Sequence, residues 1–478
     1  MQDAAHGSLL RSIRQQLHAQ IAKALEAHSP ELIETQPELF AQHYTEAELV
    51  EKSVEFWGKA GHRSATRSAM TEAAVQFQKG LDQLALLRDT PERQRQELEL
   101  RSSLGAVVRA VKGIAAAETG QAYARARDLW EHVGSPAEFV QIPFGQSRYH
   151  AQRGEFERAQ SLAEELLHLS RQRNDAAGLV LGHFASGLNL MSAGRFTLSR
   201  IHLEEVIAVD DPIFYRALAR KTGTYPQVGS LGYLGIVLLC LGFPDQALAT
   251  TSRAITEARR LAHLPSLASG LTDRIRSLWL VGDITALDEQ LEQLDEVATE
   301  QRFPHWGAEG TIFRGWVKVK NGAMAEGMSL LRGGSTAYRA TGSELWIPNH
   351  IALRATVCEI AGRVEEALTL LDDALQIVER TGERWFVAEV YRQKGALLMR
   401  QGHTEAAEEL YRKALSIARE QEAKLWELRA AASLARLRRD QGRRAEARDL
   451  LGSVYGWFTE GFGTPDLKEA KALLDELR

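Results

Sequence analysis

Glycine recurs at one fixed interval through the C-terminal half of this chain, at Gly242, Gly282, Gly322, Gly362, Gly402 and Gly442. Gly154 and Gly194 carry the same period upstream, and a longer gap, with eight extra positions, separates Gly194 from Gly242. Self-similarity at a fixed period of this length is the mark of a solenoid, in which each unit packs only on its neighbours. The residues at +5, +9 and +12 from each glycine are small or apolar: Ala247, Thr251 and Ala254; Ala367, Leu371 and Ala374; Ala407, Tyr411 and Ala414; Ala447, Leu451 and Val454. Spacings of four and three place each triple on one stripe of a helix. At −7 from the glycine stands a small residue in most copies (Gly187, Gly235, Gly315, Ala355, Gly395, Ala435), which lets two helices approach closely. The glycine itself reads as a left-handed helix C-cap, where the lack of a Cβ removes the steric cost.

Each unit is therefore helix, glycine turn, helix. Degenerate copies at Thr119, Tyr123, Ala126 and at Ala73, Phe77, Gly80 extend the array to about ten helix pairs between residues 48 and 457. Pro226, Pro265, Pro304 and Pro348 fall at helix starts or in the links, where a missing N–H costs nothing. Thr464 and Pro465 read as N-cap and first position of a last helix. The expected fold is all-α, a right-handed solenoid of tetratricopeptide-like pairs. Its expected divisions are an N-terminal helical segment (1–47), a first repeat block (48–206), an insertion (207–230), a second repeat block (231–457) and a capping helix (458–478).

The small residue, turn glycine, alanine, aromatic and alanine at these offsets resemble the tetratricopeptide repeat in a longer form. A narrower resemblance lies in "HYTEAELVEKSVEFWGKAGHRS" (43–64), "LGFPDQAL" (241–248), "GTIFRGWVKVKNG" (310–322), "ALQIVERTGERWFVAEVYRQKGALLMRQG" (374–402) and "FTEGFGTPDLKEAKALLDEL" (458–477). These stretches are similar to the C-terminal repeat region of bacterial proteins that join a class III nucleotide cyclase, a STAND-type ATPase and a tetratricopeptide array. The resemblance implies that residues 2–26 are the end of the segment linking ATPase to repeats. It also implies that the chain is an expressed fragment or a shortened gene product. Tyr225-Pro226 stands where that family tends to have Asp-Pro.

No GxxxxGK[ST], HExxH, GxSxG, GxGxxG or calcium-loop pattern is present, so neither an enzyme nor a cofactor is expected. With a net charge of −5 and a pI near 6.3, overall attraction to nucleic acid or an anionic membrane is not expected either. Two cysteines, Cys240 and Cys358, exclude a disulfide-stapled secreted fold and fit a cytoplasmic setting. They read as small core residues, with a reactive thiol as the alternative. The basic run at 436–448 reads as a solvated face, with a phosphate or acidic-partner contact as the alternative. Trp306, Trp346 and Trp426 share one offset before Gly322, Gly362 and Gly442, with Phe386 taking that place before Gly402. They read as packing at the junctions between repeats.

The resemblance implies that the first helix of each pair lines the concave side. Inward-facing offsets there nominate Arg276, Trp279, Trp316, Lys320, Glu389 and Arg392 as binding candidates. Arg314 and Lys318 join them as the clearest departure from an apolar repeat position. Either their stems pack while their heads reach water, or they line the groove and hold an anion. The expected function is a non-catalytic scaffold, serving as the protein-interaction or self-association arm of a signalling ATPase or cyclase. The rival is a small-molecule inducer sensor that takes its effector in the concave groove. A long open groove favours the first and a closed cavity with converging polar groups the second.

Overall fold

In the computed structural model, residues 11–136 and 139–478 are described, and they hold 25 helices and no strand. Twenty of these helices form ten consecutive pairs. The pairs run from Val50–Thr66 with Met70–Leu84 through to Lys424–Asp440 with Arg444–Tyr455. Three helices precede the array (Arg11–His28, Glu31–Thr35, Pro37–Glu46), and Pro465–Glu476 follows it. The extra positions between Gly194 and Gly242 form one further helix, Pro212–Thr222. The fold is an all-α solenoid. Residues 1–10 of the segment likened to a linker lie outside the described residues. Among the described residues no single helix is long and apolar enough to cross a membrane.

The chain divides into two compact units. One comprises Met1–Gln146 with Ile213–Thr224, the other Ser147–Pro212 with Tyr225–Arg478. In the first, Phe77, Leu81 and Leu84 of one pair pack with Leu100, Leu104 and Val107 of the next. Phe40, Tyr44 and Phe56 stack beneath the leading helices. The Pro212–Thr222 helix belongs here, where Arg109 Nη2 donates to Thr222 O at 2.7 Å. In the second unit the core runs from pair to pair, and its C-terminal end is closed by Leu467, Ala470 and Leu473 of the last helix.

The turn glycines do what their spacing requires. All eight have positive φ, between 72° and 93°, a region where any side chain is strained. All ten +5, +9, +12 triples are buried. The small residue at −7 sits directly beneath the +9 side chain of its own unit. A Cβ added to Gly395 would lie 2.8 Å from the Tyr411 ring, and one added to Gly235 would lie 2.2 Å from Thr251 Cγ2. Prolines 226, 265, 304 and 348 all occupy the first helical positions. Thr464 is the residue before the last helix, but its hydroxyl donates back to Gly461 O and does not cap it.

One regularity is absent from the glycine pattern. The links between pairs also carry a left-handed residue at the same period: Ala262, Arg302, Gly342, Gly382 and Glu422, with φ from 49° to 81°. Three of the five are not glycine, and their φ of 49–56° lies below the 72–93° of the turn glycines.

These contacts separate two glycines on the same helix–turn junction. A Cβ on Gly402 would meet no atom within 4 Å, so Gly402→Ala carries only the left-handed backbone cost, about 1 kcal/mol. Gly395→Ala drives a methyl into the Tyr411 ring, an overpacking cost of about 1–3 kcal/mol. Tyr411→Ala empties that space at about 3–5 kcal/mol. Urea denaturation should rank the three in that order. Hydrogen exchange should quicken over about 350–457 and stay unchanged before residue 140; equal loosening in both places would refute the repeat-by-repeat packing.

Candidate functional site

The first helices of the second unit present charged and polar side chains inward, and these converge. Arg276 is the hub. Its Nη1 donates to Asp273 Oδ1 at 2.6 Å and its Nη2 to Glu309 Oε2 at 2.7 Å, and all three residues are buried. The guanidinium also lies over the Trp346 ring, 4.1 Å from its centroid. Tyr338 stands between His305 and His350, its ring 4.9 and 5.0 Å from theirs. Its hydroxyl donates to Leu345 O and accepts from Gln152 Nε2. Arg148 reaches the Tyr233 hydroxyl at 3.1 Å. Glu383 accepts from the Trp346 backbone N–H at 3.0 Å and from Trp385 Nε1 at 3.0 Å.

Burial and pairing divide the titrations of this cluster. Burial pushes the Asp273 carboxyl up to about 7, against the pull of Arg276. Glu309 is opposed by burial too, but Arg276 and then His350 hold it down at about 2. Burial lowers His305 to about 4 and also lowers His350, so both imidazoles are neutral near pH 7. Burial raises Glu383 to about 8, despite its hydrogen bonds from Trp346 and Trp385.

The same unit folds its later links onto its earlier first helices. Gln152 O accepts from the backbone N–H of Glu344 and Leu345, at 2.8 and 3.1 Å. Ser192 O accepts from Arg384 and Trp385, at 2.7 and 3.1 Å, one repeat further on in both partners. Leu280 O accepts from Arg429 Nη2 at 2.8 Å, and Arg429 also grips Asp466 of the last helix through Nε and Nη2, both at 2.9 Å. Asp245 and Gln246 bind Gly461 and Glu460. Within this unit the inner face is thus covered by the unit's own links. Several polar groups are left without a protein partner among the described residues: both amide atoms of Asn189 and of Asn349, and Asp273 Oδ2.

The nominated residues are distributed as follows. Arg276 is the centre of the ionic cluster, and Trp279 packs on Phe313 and Phe386. Glu389 is buried and paired with Arg392 through both carboxylate oxygens, at 2.7 and 2.8 Å. Arg314 binds Asp295 and Asp288 on the Ile284–Glu300 helix, while Lys318 pairs with Glu326 at 3.0 Å. Lys320 lies over the buried Trp316 ring, 5.4 Å from its centroid. The structure does not gather Arg314, Lys318 and Lys320 into one basic site, because each of the first two is taken up by a carboxylate on a second helix. The basic run at 436–448 is neutralised likewise, Arg436 by Glu469, Arg439 by Glu476 and Arg443 by Glu446. Cys240 and Cys358 are free and buried, and burial raises both thiols. The periodic aromatics pack at the junctions, as in Trp346 against Trp385 and Phe386 against Trp426.

Asp273, Glu309, Asn349 and Glu383 are site residues that sequence reasoning missed. A signal for two of them exists. Glu309, Asn349, Glu389 and Arg429 hold the same offset before Gly322, Gly362, Gly402 and Gly442, so a polar group recurs at one inward position of an otherwise apolar helix.

Comparison with known proteins agrees with this architecture. A tetratricopeptide-repeat family model matches residues 349–420 and 386–460. An uncharacterized protein of Rhizobium meliloti (strain 1021) is 24% identical over 415 residues, covering 85% of this chain and 40% of that protein. The chain thus spans about two fifths of the length of the curated relative it matches. A crystal structure of a Rap protein complexed with competence and sporulation factor superposes with a TM-score of 0.55 at 11% identity, over 78% of this chain and 98% of that one. The apo quorum sensor NprR from B. thuringiensis gives 0.46 at 15% identity, over 77% and 99%.

The raised Glu383 carboxyl has a pH consequence. Folded, it keeps a proton that the unfolded chain releases near its ordinary value of 4.5. Its contribution is therefore complete below about pH 4.5 and is lost as pH rises through about 8. Melting followed by circular dichroism should show the wild type losing stability between about pH 4.5 and 8 relative to Glu383→Gln, with no further loss above that. Parallel curves for the two chains would contradict a protonated Glu383.

Proposed function

We propose that this chain is a non-catalytic tetratricopeptide scaffold that associates with a second copy of itself or with a protein partner. In this reading it acts in the bacterial cytoplasm as the regulatory arm of a signalling ATPase or cyclase. The observation that carries the association is on the Arg11–His28 helix. Its buried side, at Ala22, packs into the unit, while Ile13, Leu17 and Ile21 form a second apolar stripe, each 41–42% exposed. Three aliphatics at i, i+4 and i+8 on a face away from the core match the seam of a helix-to-helix contact. Attachment to a larger signalling protein is supported by the segments likened to the cyclase and ATPase family, and by a bacterial relative more than twice as long.

The second reading, a sensor of a small polar effector, is favoured by one observation. The amides of Asn189 and Asn349 are buried with no protein partner among the described residues. Such groups cost about 1–3 kcal/mol each unless water or a ligand satisfies them. In this reading the effector is small and polar, since later links cover the inner face of the unit.

Sedimentation velocity should show concentration-dependent association of the wild type at tens of micromolar, abolished in Ile13→Glu/Leu17→Glu. Identical monomeric behaviour of both chains would remove the self-association reading. Purified chain should turn over neither ATP nor GTP. Turnover that survives repurification yet is lost in a point variant of this chain would make it an enzyme.

A further inference from the structure

We propose that the cleft between the Met324–Ala340 and Ile347–Ile360 helices binds a small organic or inorganic anion, through the guanidinium groups of Arg354 and Arg332. The cleft is shallow and half open to solvent. Met328, Leu331 and Val357 form its apolar lining, and Arg332, Arg354 and Glu366 its polar one. The site lies apart from both the Arg276 cluster and the exposed stripe, so it stands independently of the reading above.

Arg354 is the observation that points to a ligand. It is half-buried, on a helix whose neighbouring positions Leu353 and Ala355 are core. It makes no hydrogen bond or ion pair with any described residue, whereas Arg276, Arg314, Arg392 and Arg429 on the other first helices are each matched with a carboxylate. Burial, and then the like charges of Arg332 and Arg339, pull its pKa below the usual guanidinium value. Arg339 also has no acidic partner among the described residues. The single carboxylate in the cleft, Glu366, is shared: Arg363 pairs with one of its oxygens and Arg332 Nη2 lies 3.6 Å from the other. Three guanidinium groups, of Arg332, Arg354 and Arg363, thus share the one carboxylate of Glu366. A half-buried positive charge in that setting is costly unless an anion balances it.

The chemistry of the ligand follows from the lining. A guanidinium offers a planar fork of donors that fits a phosphate or carboxylate, and the aliphatic floor accepts a short apolar body. Because the cleft is shallow and half open, a small anion would dock in it from solvent, with its head group on the guanidinium groups. Cys358 completes the lining as a neutral thiol, held protonated by burial and by Glu366, so binding is non-covalent.

Calorimetric titration of the full chain with inorganic phosphate, and separately with succinate, at low ionic strength tests this and distinguishes the two head groups. One of the two should bind at one site per chain. Arg354→Met should weaken that binding about tenfold or more, and Arg354→Lys should keep part of it. Glu366→Gln should tighten it, because a competing carboxylate is gone. Circular dichroism melting should show Arg354→Met folded, since the methionine replaces the aliphatic stem. No heat from either probe up to about 10 mM, or unchanged binding by a folded Arg354→Met chain, would overturn the proposal. Loss of binding in Glu366→Gln would overturn the anion assignment as well.

Discussion

The left-handed residue between successive helices is the constraint on which the rest of this molecule depends. A single αL residue ends a helix and turns the chain back within a few positions. The next helix then runs beside the first, and only a small residue at the point of closest approach allows it to settle there. Gly187, Gly235, Gly315 and Gly395 occupy that point against Leu203, Thr251, Leu331 and Tyr411. Repeat helices such as Phe196–Ile207, Ile347–Ile360 and Arg444–Tyr455 are short enough to be marginal alone in water. Their stability comes from the stripe each buries on its partner and on the next pair. Take away the turn and neither helix has a surface to bury against.

What a sequence displays of such an array depends on whether geometry dictates the residue. At Gly402 or Gly442 the left-handed φ excludes most side chains, so the turn is written as glycine and its period can be read. At Ala262, Arg302 and Glu422 the left-handed φ is smaller, 49–56°, and ordinary residues carry it, so the second period of the fold is invisible in composition. The buried triples were legible because every repeat asks the same thing of them. The inner charges were only half so. Arg276 could be placed on the inward side by its offset, but its partners could not be named, because Glu309 comes from the next repeat and Trp346 from the one after. The partners of Arg314 and Lys318 were out of view for a related reason. Their carboxylate partners Asp295 and Glu326 sit at positions on second helices that look like solvated surface.

The sequence also carried information that periodicity in apolar residues hides. Glu309, Asn349, Glu389 and Arg429 repeat with the glycines, yet they differ in charge from one repeat to the next. Apolar stripes repeat in kind; these positions repeat in place only. That difference separates what builds every unit alike from what gives each unit its own identity.

This identity answers a difficulty inherent to repeats. Near-identical helix pairs can pack on one another in more than one register, since the apolar contacts are almost the same after a shift of one unit. The buried ions break the degeneracy. In the observed register Arg276 meets Asp273 and Glu309, and Arg429 meets Asp466 while donating to Leu280 O. Shifted by one repeat, Asn349 would come to the place of Glu309, and Arg276 would lose one of its two compensating carboxylates in a buried site. An uncompensated buried charge costs about 3–5 kcal/mol, whereas the correct pair adds little over an apolar contact of the same size. The ionic inner face therefore contributes less to the depth of the native state than to its separation from shifted alternatives. The links that return onto Gln152 and Ser192 then have one set of first helices to meet, which is why the inner face of this unit is closed by its own chain and not left as an open groove.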